Sequence, residues 1–346
     1  MIRFVTPAVL LAIAAPAFAQ SLPPTQFNVV GSIGVLTPYT RREVPFWTVD
    51  VPKASNGAIK AQIKPFTELG FKGPEVFRLT SQGTLQLSHA VLNYSSGEVP
   101  INEAVDLAGL TGSVEELQKL LEVFRPHLAA EFERKHNLKL LGFGTYHAQV
   151  VYCRDAFTGL ADLKGRKIRA SGASQQAFVQ HIGASPLTIA FPEVQPALAQ
   201  GVLDCAITGA LSGYKSKWHE TAKFISPMPV NFGLIAHVAN LTWWKGLDPA
   251  VQAFLEKELR KLEADVFAQA RGEAAVGIAC NTGTGACPEG PPAAMKLVAV
   301  TPADDKLRRE ALEKAVLPAF AKRCGAECVA LWNDTIGKAL GTRISP

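Results

Sequence analysis

The chain has 346 residues, of which 48% are hydrophobic and 19% are charged. This length suits two domains of ordinary size, and this composition provides a sizeable core and argues against disorder. The formal net charge of +5 falls to +4 without the first 19 residues, which contain Arg3 and no acid. Basic residues are scattered rather than clustered, so no nucleic-acid partner is expected.

The beginning of the chain has the pattern of a cleaved targeting segment. Arg3 gives it a positive charge, residues 5–15 form an apolar core too short to span a bilayer, and residues 17–19 are an A-x-A cleavage site. The sequence therefore predicts a signal peptide over residues 1–19. The mature protein is expected to be soluble and located in the periplasm.

The next part of the chain alternates between strand and helix patterns. Residues 27–32, 61–65 and 86–91 are predicted strands, and residues 74–82 are a predicted helix. This alternation is typical of an α/β lobe with parallel strands. Ser32, which ends the first strand, and Tyr39, which follows it, are candidates to line a cleft.

Two longer elements are predicted further along. Residues 138–154 predict one long strand, and residues 230–238 predict a strand that returns in the opposite direction. Asp248 and Pro249 begin a long amphipathic helix, which we expect to continue to about Arg271. Shorter helical segments follow and reach the end of the chain.

The most informative stretch covers residues 157–209. Its pattern is strand, helix, strand, helix, strand, with predicted strands at residues 167–170, 187–190 and 202–207. Arg169 lies near the end of the first of these strands. Ligands in sheets of this kind bind at the carboxyl ends of the strands, so Arg169 is placed where a ligand would bind. The alternative is a surface arginine paired with a nearby acid.

This stretch also resembles a known family. It contains the motifs DLKGRKIRASG and IGASPLTIAFPEVQPALAQGVLDCAITG, at residues 162–172 and 182–209. These motifs are similar to those of the solute receptors of tripartite ATP-independent periplasmic (TRAP) transporters, the DctP-like family. The resemblance implies a periplasmic binding-protein fold of type II, with two α/β lobes, a hinge and a long interlobe helix.

The resemblance also implies a division of the chain. Lobe I would comprise residues 20–145 and 236–272, and lobe II would comprise residues 146–235. Residues 273–346 would form a C-terminal helical segment that packs on both lobes.

The function implied by the resemblance is the capture of a small organic acid and its delivery to the small and large membrane subunits of a permease. In the family the arginine of the K-I-R motif clamps the ligand's carboxylate, and that role falls on Arg169. A guanidinium offers two parallel donors to a carboxylate, which lysine does not. No cofactor and no metal are implied, and the receptor is expected to be a monomer.

Other site residues follow from the same resemblance with less direct support. One branch of the family has a second arginine in a G-T-R-Q stretch, which here reads Gly-Thr-Tyr-His-Ala-Gln. That arginine is absent here, and Tyr146, His147 and Gln149 are the candidate ligand contacts in its place. The asparagine that often touches the ligand is replaced, with Thr208 at its place.

Two further candidates each have an ordinary structural explanation. Glu75 corresponds to an acidic helix-start position in the family, but an acid is common at a helix N-terminus. Trp218 is either a core residue or a ring that stacks on the ligand.

The six cysteines fit an oxidising compartment. Local disulfides, Cys280 with Cys287 and Cys324 with Cys328, are the simplest framework, and pairing of 280 with 324 and 287 with 328 is an alternative. Zinc is a competing explanation, but the spacings match structural zinc sites poorly. Cys153 and Cys205 either pair or remain buried thiols.

The sequence contains no G-x-S-x-G, P-loop, H-E-x-x-H or post-strand G-x-G-x-x-G motif, so no enzyme is predicted. Two alternatives to a transport receptor remain. One is an exported enzyme with a reactive cysteine or histidine in the cleft, and the other is a module that senses a ligand for a signalling receptor.

Overall fold

The computed structural model describes residues 22–345, so the predicted signal peptide lies outside the described residues. It contains two separate β-sheets joined by crossing strands and a long helix. The predicted two-lobe α/β architecture is confirmed. Within the described part of the chain, no helix is both long and apolar enough to cross a bilayer.

The first sheet has five strands in the order β2-β1-β3-β10-β4. The strands β1, β2 and β3 are parallel to one another, and β10 runs antiparallel to both β3 and β4. The bounds of the strands in this sheet are β1 Thr25–Gly31, β2 Ile59–Pro65, β3 Leu87–Val91, β4 Leu138–Thr145 and β10 Leu234–Asn240. We call this sheet and the helices packed on it lobe I.

The second sheet has six strands in the order β11-β9-β5-β8-β6-β7. Its strands β6, β7 and β8 are parallel, and β5 is antiparallel to β8 and β9. The bounds are β5 Gln149–Cys153, β6 Lys167–Arg169, β7 Ser185–Leu187, β8 Cys205–Gly209, β9 Phe224–Asn231 and β11 Lys296–Leu297. This sheet and its helices form lobe II.

The helices cover the faces of the two sheets. Their bounds are α1 Val51–Ala54, α2 Pro74–Ser81, α3 Val114–His136, α4 Ala173–His181, α5 Val194–Ala199, α6 Ala210–Lys215, α7 Leu241–Lys245, α8 Pro249–Thr282, α9 Pro302–Ala311, α10 Leu317–Trp332 and α11 Lys338–Leu340. Short π-helical turns, Tyr39–Glu43 and Phe46–Asp50, precede α1.

The prediction of one strand over residues 138–154 is wrong. The segment divides into β4 in lobe I and β5 in lobe II, with residues 146–148 between them. All three linking residues are buried or nearly so, and burial therefore continues where the strand pairing stops. The returning chain crosses in the same way between β9 and β10, at Phe232 and Gly233.

The long helix α8 also differs from its prediction. It has 34 residues and ends at Thr282 rather than at Arg271, because Gly283 is the residue that adopts a left-handed conformation, with φ of 71°. Beyond Arg271 it packs against lobe II. A Cβ atom added to Gly277 would lie only 2.5 Å from the carbonyl carbon of Ala210, so the helix and α6 are in backbone contact.

The cysteines form three disulfides, and no cysteine among residues 22–345 is free. Two of them are the local pairs, Cys280 with Cys287 and Cys324 with Cys328, so the crossed alternative does not occur. The third joins Cys153 and Cys205, which are directly opposite each other on β5 and β8. The possibility that these two remain thiols is thereby excluded.

The C-terminal helices contact both lobes. Trp332 donates from Nε1 to the carbonyl oxygen of Ala104 at 2.9 Å, and Arg323 forms an ion pair with Glu103 at 2.6 Å, both in lobe I. In lobe II the amide of Leu160 donates to Asp304 at 2.7 Å. The second strand predicted in residues 157–209, at residues 187–190, is shifted, since β7 covers Ser185–Leu187.

Candidate functional site

A cavity lies between the two lobes, where the ends of their strands face each other. It contains about 300 Å³ of empty space, counting its opening to solvent. Residues from both lobes line it: Ile33, Leu36, Val91, Asn93, Tyr94, Tyr146, Gln149, Arg169, Ser171, Phe191, Thr208, Gly209 and Ser212. The walls are therefore part apolar and part hydroxyl or amide, as in sites for small polar ligands.

Arg169 ends strand β6 and is the one charged residue in this lining among residues 22–345. It is only 2% exposed. Its Nε donates to the carbonyl oxygen of Ile189 at 3.2 Å and its Nη1 to that of Ile207 at 2.9 Å. These bonds fix the plane of the guanidinium. Burial lowers the pKa of Arg169, and the nearby Tyr94 counteracts this effect.

No carboxylate of the described chain lies within ion-pair distance of Arg169. A buried cation is costly unless an anion and aligned hydrogen bonds compensate it. The backbone carbonyls supply part of this compensation. The remaining side of the guanidinium suits an anionic ligand group.

Three of the predicted site residues join Arg169 in the lining of the cavity, namely Tyr146, Gln149 and Thr208. Thr208 is near the end of β8, and Gln149 begins the antiparallel β5, so both lie at the same edge of the lobe II sheet as Arg169. This convergence follows from the strand directions. It is the reason that parallel sheets bind ligands at one edge.

A network of buried amides fixes Gln149. Its Oε1 accepts a hydrogen bond from Nε2 of Gln175 at 2.9 Å. The same Nε2 donates to Asn231 at 2.7 Å, and Oε1 of Gln175 accepts from the amide of Ser171 at 2.7 Å. Gln175 thus connects helix α4 to both strands that approach the hinge. Neither Gln175 nor Asn231 was identified from the sequence, since their roles arise only from tertiary contacts.

His147 lies behind the cavity, at the crossing between the lobes. Its Nε2 accepts a hydrogen bond from the amide of Leu211 at 2.8 Å, which places its proton on Nδ1. That nitrogen faces Glu273 of helix α8 at 3.3 Å, and Glu273 also accepts from Thr37 of lobe I at 2.8 Å. The ring therefore joins lobe I, lobe II and the long helix.

The other predicted residues are outside the lining. Ser32 and Tyr39 are buried in lobe I and do not line the cavity. Trp218 is fully buried and packs between Tyr152 and Phe191. Glu75 lies at the start of α2 and accepts from the amide of Lys72 at 3.1 Å.

Asn93, Tyr94 and Ser171 line the cavity but were not proposed from the sequence. Asn93 and Tyr94 lie in the short 3-10 turn Leu92–Ser95 that follows strand β3, so a search for polar residues just beyond strand ends would also have found them. Asn93 of lobe I donates from Nδ2 to the hydroxyl of Ser171 in lobe II at 2.7 Å. The structure therefore has the two lobes in contact across the cavity.

Metal-ligand clusters do not occur in residues 22–345, where no group of three His, Cys, Asp or Glu side chains could hold an ion. The cavity therefore offers a guanidinium, hydroxyls and amides to a ligand. This set binds an anion and neutral polar groups.

The family of the chain is shown by sequence comparison. Residues 39–279 match the model of the family described as bacterial extracellular solute-binding protein, family 7, or DctP. The chain belongs to this family. Its members are solute-binding receptors rather than enzymes, and the family suggested by the motifs in residues 157–209 is confirmed.

Two curated relatives are each 24% identical to this chain over the aligned residues. One is the C4-dicarboxylate-binding periplasmic protein DctP of Rhodobacter capsulatus, over 60% of this chain and 62% of the relative. The other is a solute-binding protein of Albidiferax ferrireducens, over 54% of each chain. The chain thus matches between about half and three fifths of the length of these relatives.

Solved structures share the fold over nearly the whole chain. DctP7, a Bordetella pertussis receptor that binds pyroglutamic acid, has a TM-score of 0.80 and 23% identity, covering 90% of this chain and 98% of its own. A receptor from Rhodoferax ferrireducens with bound malonate has a TM-score of 0.76 and 20% identity, covering 90% and 99%. A receptor from Desulfovibrio salexigens with bound orotic acid has a TM-score of 0.79 and 18% identity, covering 89% of this chain and 97% of its own.

Proposed function

We propose that this protein is the periplasmic receptor of a TRAP-type transporter, which binds a small organic acid in the interlobe cavity and delivers it to the membrane subunits of the permease. The family membership supports the receptor role. The buried Arg169 at the cavity wall carries the assignment of an acid, because it is a cation without a carboxylate partner among the described residues.

In this proposal the ligand's carboxylate lies against the side of the Arg169 guanidinium that faces away from the two carbonyls, next to the hydroxyl of Tyr94. Two backbone carbonyls already orient that guanidinium, so little side-chain freedom is lost on binding. The hydroxyl of Tyr94 is close to Arg169 and would donate to the same carboxylate. Charge-assisted hydrogen bonds of this kind are about twice as strong as neutral ones.

The single cation in the lining favours a ligand with one carboxylate. A second carboxylate, as in malonate or a C4-dicarboxylate, would be buried without a cationic partner within the described cavity wall. Hydroxyl and amide groups cover much of the remaining wall. A monocarboxylate with neutral polar substituents, such as the pyroglutamate of the Bordetella neighbour, fits this wall better.

The groups that an exported enzyme would have used, a cleft cysteine or histidine, are already bonded within the protein. Cys153 and Cys205 are bonded to each other, and Nε2 of His147 is occupied by a backbone amide. A ligand-sensing role would use the same cavity. Uptake of the identified acid by cells with and without the receptor distinguishes the two roles, since only a transport receptor is required for uptake.

The ligand is identified by thermal unfolding in the presence of small mono- and dicarboxylates, keto acids and sugar acids, since a ligand raises stability by mass action. Affinity is then measured by calorimetry for the wild type and for Arg169→Lys. Lysine keeps the charge but loses the planar pair of donors, so we expect affinity to fall about tenfold to a hundredfold.

The matched control for this measurement is Arg166→Lys. Arg166 lies three residues earlier, and it donates to the carbonyl oxygen of Asp155 outside the cavity. This variant is expected to bind as the wild type does. Unchanged affinity in Arg169→Lys would contradict the proposed carboxylate clamp.

A further inference from the structure

Asp106 is a buried carboxyl group that lies against the point where the returning chain crosses between the lobes. It is 1% exposed and follows the short turn Pro100–Glu103. Its Oδ1 accepts a hydrogen bond from the amide of Phe232 at 2.8 Å, and its Oδ2 accepts from the amide of Gly233 at 2.6 Å. Oδ2 also accepts from Nδ2 of Asn231 at 3.1 Å. One side chain therefore holds three consecutive residues of this crossing.

The carboxyl group of Asp106 has donors around it but no cation. No lysine, arginine or histidine of residues 22–345 is within ion-pair distance of it, and the nearby Arg323 pairs with Glu103 instead. Burial raises the pKa of Asp106 to about 6, an effect that its three donors oppose and Glu103 reinforces. The group is therefore ionised at about pH 7.5, and both of its oxygens then only accept hydrogen bonds.

A group that only accepts decides which way the neighbouring amides point. Because Nδ2 of Asn231 donates to Asp106, its Oδ1 faces Gln175 and accepts from Nε2 of that residue at 2.7 Å. The backbone amide of Ser171 donates to Oε1 of Gln175 at 2.7 Å and so favours the same orientation. Gln175 thus presents its NH2 group to Gln149, whose Oε1 accepts at 2.9 Å. We call Asn231, Gln175 and Gln149 the amide relay.

The relay gives Gln149 a defined polarity in the cavity wall. Its Oε1 is occupied, and no group of residues 22–345 accepts from its NH2 group. The same NH2 group lies against the crossing, since a Cβ atom added to Gly233 would be 2.6 Å from Nε2 of Gln149. Gly233 also has a φ of 89°, which favours glycine. The backbone that Asp106 holds is therefore in direct contact with the amide that faces the cavity.

We propose that Asp106 is a positioning residue of the ligand site. Through Asn231 and Gln175 it fixes the amide of Gln149 as a hydrogen-bond donor to the ligand. This inference rests on the proposed function, because it takes the cavity as the place where the acid binds. Asp106 itself is outside the cavity lining. Its contribution is preorganisation, since a donor that is oriented in advance loses less side-chain freedom when the ligand arrives.

Asp106→Asn tests the relay with little change of shape. Asparagine presents an NH2 group where all three partners are donors, and the two backbone amides cannot turn. The side chain of Asn231 can turn, but its own NH2 group then faces Nε2 of Gln175 and disrupts the relay. We expect the side-chain amide signal of Gln149 to shift in the ¹H–¹⁵N spectrum recorded without ligand. Its absence in Gln149→Ala identifies that signal.

The matched control is Asp304→Asn. Asp304 is also buried, and it accepts from three donors, namely the amide of Leu160 at 2.7 Å and the amide and hydroxyl of Thr301 at 2.9 Å and 2.7 Å. It lies outside the cavity lining. We expect this variant to lose stability while the Gln149 signal stays in place. A shift of similar size in both variants would indicate a general loosening of the fold and would overturn the positioning role.

Affinity separates positioning from a purely structural role. The probes for calorimetry are L-pyroglutamate, malonate and orotate, the acids bound by the structural neighbours. For an acid that the wild type binds, Asp106→Asn should weaken binding about tenfold. In a Gln149→Ala background it should weaken binding less than about twofold, because the relay then has no end. Equal losses in the two backgrounds would contradict the proposal.

Gln175→Met keeps the test available if Asp106→Asn does not fold. Methionine is similar in length but has no amide, so it interrupts the relay without touching the crossing. We expect the same shift of the Gln149 signal and about the same loss of affinity, whereas an unchanged signal with unchanged affinity overturns the relay. The spectra need no ligand. Failure of all three acids to bind therefore counts against the proposed function, while the Gln149 signal still decides on the relay.

Discussion

At the scale of single residues, Glu43 is a group whose burial opposes folding. Burial raises its pKa to about 7, so the folded protein holds a proton that the unfolded chain releases near the ordinary pKa of 4.5. Between these values the folded state binds more protons, and the free energy of unfolding therefore falls as pH rises. A shift of this size corresponds to about 3 kcal/mol lost across the interval.

Glu43→Gln should remove this loss, because an amide does not ionise. The stability of the variant relative to wild type is expected to increase between about pH 5 and pH 8. Denaturant unfolding of both proteins at several pH values measures this difference. A difference that stays constant with pH would show that Glu43 does not titrate in this range.

The comparison of variant and wild type is needed because other buried groups also titrate. Burial raises the pKa of Asp106 to about 6, which has the same sign as Glu43. Burial lowers the pKa of His237 to about 3. The free energy of unfolding therefore falls as the pH drops below 6.5, the ordinary pKa of histidine. Both effects cancel in the difference between the two proteins.

Part of the site could be predicted from sequence because the apolar pattern shows where strands end. Arg169 lies at the end of a strand that the apolar pattern revealed, whereas Thr208 and Gln149 were proposed from the family resemblance; all three lie at one edge of the sheet. Asp106 and Gln175 gave no such signal. Their hydrogen bonds depend on contacts across the fold, which a local pattern does not contain.

At the scale of elements, the apolar pattern of the sequence locates strands and helices better than it locates their ends. Residues 138–154 are mostly apolar because both sheets and the link between them are buried, so the apolar pattern does not mark the break at residues 146–148. Helix α8 continued past its predicted end for a similar reason. Gly272 lies inside the helix without stopping it, and the left-handed Gly283 stops it.

The two glycines of α8 give opposite predictions. A Cβ atom at Gly277 would collide with the backbone of Ala210, whereas one at Gly272 meets nothing within 4 Å. Gly277→Ala should destabilise the protein by about 1–3 kcal/mol through overpacking. Gly272→Ala should stabilise it by about 0.5–1 kcal/mol, since alanine is the better helix former.

Thermal and denaturant unfolding of both variants check these signs. Equal effects at the two positions would indicate that α8 does not pack closely on α6. The result also bears on the hinge, because this contact fastens the long helix to lobe II while its first half packs on lobe I.

At the scale of the whole molecule, the lobes are connected by two strand crossings and the long helix, and they contact each other across the cavity. Helix α4 of lobe II begins against lobe I. The amide of Ala173 donates to the hydroxyl of Ser96 at 3.1 Å, and the amide of Ser174 donates to Glu103 at 3.0 Å. These bonds satisfy amides at a helix N-terminus that have no partner within the helix. They join helix α4 to the segment that follows strand β3.

Closure is expected to be coupled to ligand binding. Arg169 belongs to lobe II and Tyr146 to the crossing, while Asn93 and Tyr94 belong to lobe I, so a ligand in the cavity contacts both sides. A receptor that binds only when closed has an apparent affinity reduced by the fraction of closed molecules. Changes that oppose closure should therefore weaken binding without any contact to the ligand.

Gly172 allows this coupling to be tested. Its φ of −155° suits any residue, so alanine is not strained within lobe II. A Cβ atom there would lie 2.7 Å from the carbonyl oxygen of Asn93 in lobe I, which obstructs only the closed arrangement. Gly172→Ala should lower the affinity for the identified acid about tenfold or more, because overpacking of this kind costs at least about 1 kcal/mol.

Small-angle scattering with and without the acid shows whether the effect acts through closure. The wild type is expected to contract when the ligand is added, and Gly172→Ala to contract less at the same ligand concentration. Gly97→Ala is the control, since Gly97 is exposed and a Cβ atom there meets nothing within 4 Å. If Gly172→Ala binds and contracts as the wild type does, the lobes do not need this close approach, and the contact between Gly172 and Asn93 plays no part in ligand capture.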